Sequence, residues 1–308
     1  MKVKVSSPAR LHFGILNPSE LEGRGYGSVG LAIDRPRTVV EAEPYGEVKA
    51  EGLRTEDAEN FARKITSTLG LRGVKLKVLS IAPVHVGLGS STQLALSIAM
   101  ATAKAHKLDL DPLEASIVMG RGTRSGVGTY AFKHGGFIVD GGRGANTSFP
   151  PLIFNHPFPE EWSFIVAIPK GLGLHGGGEA EAFRSLKPPK ELIYRASYVI
   201  LLKLIPALLE HDFESFSKWL TELQQIVGSM FSPAQGGVYG KPSQDAIEAL
   251  MSLGIKGVGQ SSWGPSVYGL VETKKAEELL DEAERALSKA EVFLAHPDNV
   301  GARVEVVG

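Results

Sequence analysis

The chain has 308 residues, with 33 Lys and Arg against 34 Asp and Glu. A formal net charge of −1 gives no global pull toward nucleic acid or anionic lipid, so neither a nucleic-acid nor a membrane partner is expected. There is no cysteine, which excludes disulfides, thiolate zinc sites, iron–sulfur clusters and a cysteine nucleophile.

In chain order, Val3–Val5, Leu11–Leu16, Val29–Ile33 and Thr38–Glu43 have strand character. The N-terminus lacks the apolar run of a signal peptide, and no uninterrupted apolar stretch approaches the ~18 residues that span a bilayer, so a cytoplasmic protein is expected. Glu56–Leu69 has helical spacing, and Val74–Ile81 alternates as a strand. A helix follows from about Ser91 to His106. A second, Asp111–Met119, starts with Asp-Pro. Phe137–Val139 is a short strand. The Pro-rich segment Asn146–Pro159 reads as a connection between domains. Beyond it come strand Ser163–Ile168, helices at Glu179–Leu186, Glu191–Leu209, Phe213–Ile226 and Ser243–Leu253, and strands Gly257–Gly259 and Val267–Glu272. Helix Lys274–Ala290 and strands Val292–Ala295 and Ala302–Val307 complete the chain. Strands and helices mix without a simple βαβ rhythm, so the class is α+β.

The 36 glycines are clustered between these elements, which suggests backbone approaching a ligand. In PVHVGLGSST, glycines and hydroxyls stand at the mouth of a long helix. A helix N-terminus carries unpaired N–H groups and partial positive charge, so Gly87, Leu88, Gly89, Ser90, Ser91 and Thr92 form a candidate phosphate cradle. It lacks the Gly-Lys-Ser/Thr end of a Walker loop. A glycine-rich turn with a serine cap is the plain alternative. GRGTRSGVGTYAFKHGGFIVDGG carries Arg121 and Arg124 beside Ser125 and Gly126, and arginine suits bidentate contact with phosphate or carboxylate. GVGQSSWGPSVYGLV is a glycine- and serine-rich loop between two strands.

These segments, with SSPARLHFGI near the N-terminus, resemble the three motifs of the GHMP kinase superfamily, in order and over essentially the whole chain. The resemblance implies a two-domain α+β GHMP-kinase-like fold. An N-terminal ribosomal-protein-like βαβ domain with the phosphate loop would cover residues 1–155, and a C-terminal ferredoxin-like α/β sandwich residues 156–308. GLGSSTQLAL, the Arg121 segment and GQSSWGPSVYG are similar to one branch, the archaeal β-ribofuranosylaminobenzene 5′-phosphate synthases. That likeness implies joining phosphoribosyl pyrophosphate to a para-substituted benzoate, 4-aminobenzoate or 4-hydroxybenzoate, with loss of CO2 and pyrophosphate, in methanopterin biosynthesis. It also implies Mg2+ and a homodimer. Many kinases of the superfamily carry Ser-Gly-x-Asp after the phosphate loop, with Asp as catalytic base. Here Ser125-Gly126-Val127-Gly128 puts glycine in its place. An ATP-dependent small-molecule kinase is the alternative reading.

On this likeness Arg10 and His12 face the cleft as catalytic residues with Arg121 and Arg124. Gln93, Ser125 and Gly126 join the phosphate-binding set. Arg24 is a candidate for a carboxylate or phosphate. Ser261, Ser262 and Gly264 close the site, with Trp263 as a stacking wall. Asp140 is the magnesium candidate, with turn capping as its alternative. Asp34 reads as a turn residue, and His175 and Glu179 stand at a helix start, where acidic residues complement the dipole. The apolar stretch Glu191–Ile226 is either core or a dimer face.

Overall fold

Two long antiparallel strands, β1 (Val3–Asn17) and β2 (Arg24–Pro44), form the backbone of the first sheet in this computed structural model, which describes residues 1–19, 23–171, 173–174 and 176–307. The sequence suggests four short strands here because prolines interrupt the pattern. The ladder instead absorbs Pro8 in a register shift between Ser7 and Ala9, and a second shift falls between His12 and Gly14. Arg10 and His12, two residues apart, therefore share one face of β1.

Strand β3 (Val48–Gly52), helix α1 (Thr55–Thr68) and strand β4 (Val74–Ser80) make a βαβ unit, with β3 parallel to β4 and β4 antiparallel to β2. Helix α2 (Ser90–Ala105) is buried on nearly all sides, as its Ala-rich sequence allows. Helix α3 (Pro112–Val118) is capped by Asp111, whose carboxylate accepts from Leu113 N at 2.7 Å. Helix α4 (Val127–His134), a short helix set among glycine-rich turns, leads to β5 (Phe137–Asp140), which pairs with β2. A two-residue strand β6 (Arg143–Gly144) also pairs with β2. The Pro-rich connection contains a strand the sequence does not announce, β7 (Leu152–His156), on β5.

Strand β8 (Trp162–Ile168) is buried at every position because both of its faces are covered. Trp162, Phe164, Val166 and Ile168 enter the large shared core, while Ile165 and Ala167 pack into a separate cluster. Helices α5 (Gly176–Ser185) and α6 (Lys190–Val199) follow, then a π-helical turn (Ile200–Leu204) and α7 (Ile205–Leu209). The sequence suggests one helix over Glu191–Leu209. Pro206 lacks the N–H that an unbroken α-helix needs, and the turn before it widens. By length and composition Lys190–Leu209 could cross a membrane, but Ile193, Ala196, Val199 and Leu204 of this run enter the core. Tyr194, Tyr198, Leu201 and Leu202 face outward.

Helix α8 (Phe213–Gln235) runs two turns beyond its predicted end. With α9 (Lys241–Ser252), β9 (Lys256–Gln260), β10 (Val267–Glu272), α10 (Ala276–Ala286) and β11 (Glu291–Ala295) it completes an antiparallel sheet ordered β11-β8-β10-β9. The last strand, β12 (Arg303–Val306), crosses back to pair with β1, so the final residues belong to the first sheet. Phe13 joins the two sheets: its ring centroid lies 6.2 Å from Phe164 and 5.1 Å from Tyr268.

Candidate active site

The loops carrying Gly87 and Ser261 meet beside the middle of β1, at Arg10 and His12. Gly87 has φ +91°, and a Cβ there would stand 2.2 Å from the Ser261 carbonyl oxygen, so only glycine admits this approach. The Gly87 carbonyl accepts from Ser261 Oγ at 2.6 Å and from Arg10 Nη1. Ser261 Oγ in turn accepts from His12 N at 2.9 Å, and Ser262 N donates to His12 O at 3.0 Å. The phosphate-type loop thus rests on Arg10: a Cβ at Gly89 would lie 3.1 Å from Arg10 Cγ.

At the start of α2, Thr92 N and Gln93 N both donate to Gly89 O, at 3.0 and 3.1 Å. The N–H groups of Ser90 and Ser91 stand at the open end of the helix, with no acidic residue in the first turn to compete for an anion. Arg54 Nη2 lies 3.4 Å from Ser91 Oγ. Its Nε also pairs with Asp57 at 2.8 Å, which offsets the positive charge it brings to this helix end.

Beside the loop lies a cavity of about 230 Å³, reached by Thr92 and Gly128. Arg10, Arg121 and Arg124 line it with His12 and Ser125. Among the described residues one carboxylate lines it, Glu179, which pairs with Arg124 at 3.4 Å. Opposite stands an aromatic wall. The Trp263 ring is 5.5 Å from Phe183 and 4.9 Å from Phe231, and Phe183 carries the Arg124 guanidinium 4.5 Å above it. The side chains of Gln224, Gln235 and Gln260 complete the lining from α8 and β9.

Burial pushes Arg10 down to about 10, opposed by the charge of Glu179. Burial also lowers Arg121. His12 lies well below its usual value, first because it is buried and then because Arg10 is beside it, so it is neutral at pH 7. Among the described residues, three guanidiniums face one carboxylate, a balance that suits anions.

Two family profiles match this chain: GHMP kinases N terminal domain over residues 56–136, and GHMP kinases C terminal over residues 204–289. A β-ribofuranosylphenol 5′-phosphate synthase of Methanothermobacter thermautotrophicus is 34% identical, over 88% of this chain and 89% of its own. The chain belongs to this synthase branch of the GHMP kinase superfamily. A protein of the same name from Methanocaldococcus jannaschii is 29% identical over 97% of this chain and 99% of its own. The Methanococcus jannaschii mevalonate kinase structure superposes with a TM-score of 0.71 at 15% identity, covering 96% of this chain and 98% of that one. It shows the same GHMP fold.

Of the residues suggested by sequence, the structure brings Arg10, His12, Thr92, Arg121, Arg124, Ser125, Ser262 and Trp263 to the GHMP cavity. Gly87, Gly89, Ser90 and Ser91 form the adjoining loop, while the Leu88 side chain belongs to the core. Gln93 is not a surface glutamine, and its Oε1 has no partner among the described residues. It is buried, and its Nε2 donates to Gly128 O at 2.8 Å, tying α2 to α4. Arg24 lies away from the cavity, with Nη1 donating to Gly141 O at 2.9 Å and to Gly142 O at 3.2 Å. Gly126 gives its N–H to Asp140, and Gly264 packs against Gly173. Asp34 does more than start a turn: its Oδ1 accepts from His296 N at 2.8 Å, across to β11. His175 lies outside the described residues.

Asp140 is not placed to hold a metal. It is buried, and its oxygens accept from Gly126 N at 2.8 Å, Gly142 N at 2.9 Å and Ser28 Oγ. No cluster of three His, Asp or Glu that could hold an ion occurs among the described residues. Among the described residues Glu179 is the one carboxylate lining the cavity, and it is already paired with Arg124. A magnesium ion there would take its oxygens mainly from substrate phosphates and water. Sequence reasoning missed Arg54, Phe183, Phe231 and the three glutamines. Arg54 sits in a surface-like acidic segment; Phe183, Phe231, Gln224 and Gln235 come from helices, and Gln260 from a strand end, where local pattern does not tell which way they face.

Proposed function

We propose that this protein transfers the phosphoribosyl group of phosphoribosyl pyrophosphate to 4-hydroxybenzoate or 4-aminobenzoate, releasing CO2 and pyrophosphate. One observation carries the reading. The cavity joins three arginines to an aromatic wall and has Gly128, not a carboxylate, where many kinases of the superfamily hold their base. A polyanionic donor and a flat aromatic acid match such a site. Phosphoryl transfer to an alcohol would lack that base, a group worth about 10²–10⁴-fold.

In this reading the α2 N-terminus and Arg10 bind the donor's phosphates, and Arg121 and Arg124 neutralise further charge. The acceptor ring lies against Trp263, Phe183 and Phe231. As the bond from ribose carbon 1 to pyrophosphate breaks, the ring carbon bearing the carboxylate attacks. Loss of CO2 then restores aromaticity. The residues act by positioning and electrostatic stabilisation, with no protein nucleophile. Magnesium would enter as the counter-ion of the donor diphosphate, not as a resident of the protein. The outward apolar side of α6 and the π-helical turn after it, with Tyr198, Leu201 and Leu202, supports a homodimer.

The test is incubation with phosphoribosyl pyrophosphate, MgCl2 and carboxyl-labelled 4-hydroxybenzoate or 4-aminobenzoate. Labelled CO2 is expected from one or both. ATP consumption with an alcohol such as homoserine or mevalonate, and no CO2 release, would establish the kinase reading instead.

A further inference from the structure

Behind the cavity, four polar side chains from four separate segments touch in series. His12 on β1 has Nε2 3.0 Å from Ser125 Oγ. Ser125 Oγ is 2.6 Å from Ser28 Oγ on β2, and Ser28 Oγ contacts Asp140 Oδ2 on β5. Ser28 is 0% exposed, Asp140 1% and His12 5%. Burying a carboxylate, a hydroxyl and an imidazole in one line is costly unless each is satisfied. Three of the four are. His12 Nδ1 has no partner among the described residues, although His12 lines the cavity. An orphaned buried nitrogen at a ligand site marks a hydrogen bond that a ligand would complete.

We propose that His12, Ser125, Ser28 and Asp140 form a proton relay that takes the proton of the acceptor's para hydroxyl or amino group and later returns it. The inference rests on the proposed reaction and gives His12, in the N-terminal motif, the role of its base. In the resting arrangement Nε2–H donates to Ser125, Ser125 to Ser28 and Ser28 to the Asp140 carboxylate, which leaves a lone pair on Nδ1. As the ring carbon bonds to ribose carbon 1, the pyrophosphate leaves with the bonding pair. The para O–H proton moves to Nδ1, Nε2–H passes to Ser125, and the hydroxyl protons shift by one place until Asp140 is neutral. The acceptor is then a cyclohexadienone, or the imine in the amino case. When its carbon–carboxylate bond breaks, that electron pair restores the ring, the para atom recovers a proton from Nδ1, and the relay runs back. No net proton is stored, and no outside base is required. His12 is the catalytic residue. Ser125, Ser28 and Asp140 act through it.

Two environments support the direction of transfer. His12 is held neutral by burial and by Arg10, so it begins as a base. Burial raises Asp140 against the lowering effect of Ser28 and of the Gly142 and Gly126 N–H groups, so its carboxylate accepts a proton more readily than an exposed one.

The experiment compares wild type with Ser28→Ala and Asp140→Asn, using 4-hydroxybenzoate and 3,5-difluoro-4-hydroxybenzoate, whose hydroxyl is far more acidic. With 4-hydroxybenzoate, kcat for CO2 release is expected to fall by about 10²-fold, while KM for the donor holds within about two-fold. The difluoro acceptor should restore most of the loss, because it needs no base. An equal deficit with both acceptors, or no deficit in Ser28→Ala, overturns the relay. Absence of CO2 release by the wild type overturns the proposed reaction itself. Nitrogen-15 spectra of the His12 imidazole separate the two failures. The relay requires the Nδ1/Nε2 proton distribution to change in Ser28→Ala and Asp140→Asn, and unchanged signals refute it whether or not the enzyme turns over.

Discussion

The Ser261 hydroxyl donates to the Gly87 carbonyl at 2.6 Å across 174 positions of chain. The same oxygen accepts the backbone N–H of His12 at 2.9 Å. One side chain thus fixes the C-terminal glycine-rich loop, the phosphate-type loop and the middle of β1 to each other. Ser261→Ala removes two buried hydrogen bonds, leaving the Gly87 carbonyl with Arg10 alone and the His12 N–H without its acceptor. It is expected to cost about 1–3 kcal/mol, read as a lower urea midpoint with unchanged m-value, together with a fall in activity.

Gly87→Ala should be worse. The φ of +91° is unfavourable for alanine, and its Cβ would meet the Ser261 oxygen at 2.2 Å. A loss of at least about 2 kcal/mol is expected. Gly46→Ala, where nothing lies within 4 Å of the added Cβ, should stay within about 0.5 kcal/mol and serves as the control. Equal stability of the two variants would refute the close approach.

Glu179 occupies one arginine of an anion site, 3.4 Å from Arg124. Glu179→Gln removes the competing charge while preserving size. It should tighten binding of inorganic pyrophosphate several-fold, whereas Arg124→Ala should weaken it by about 10-fold or more. Isothermal titration calorimetry measures both, and matching shifts in the two variants would remove this pair from the site.

The pH dependence of stability has a definite sign at His12. Burial and Arg10 depress its folded pKa below 6.5, so below about pH 6.5 the unfolded chain binds a proton that the folded one does not. Its contribution is therefore complete above pH 6.5 and is lost as pH falls, with a limiting slope of about 1.4 kcal/mol per pH unit. His12→Gln should flatten the stability profile between pH 5 and 6.5 relative to wild type, measured by denaturant unfolding. Parallel profiles would show that His12 is already charged in the fold.

Leu201 and Leu202 are 65% and 56% exposed on the helical run that follows α6. If that side joins two copies, Leu201→Glu with Leu202→Glu should convert a dimer to a monomer in sedimentation velocity, with little change in the thermal midpoint of the monomer at high dilution. A wild-type chain that sediments as a monomer at micromolar concentration would dispose of the homodimer.

Much of this molecule is legible in its order of residues. Glycine spacing and hydroxyls before an apolar helix locate the loop at Gly87–Ser91, since only glycine reaches the backbone angles that such a turn requires. Period-two alternation and helical spacing locate most elements, because burial on one face writes itself into local pattern. Side-chain direction is not local. The same alphabet that made Gln93 and Asp140 plausible ligands left open whether they face a cavity or the interior, and tertiary packing turned both inward. It also joined β12 to the first sheet and assembled a basic, aromatic-walled cavity from segments as distant as Arg10, Arg124, Phe231 and Trp263. Contacts of that range are set by how two sheets share one core around Phe13, which no window of sequence contains.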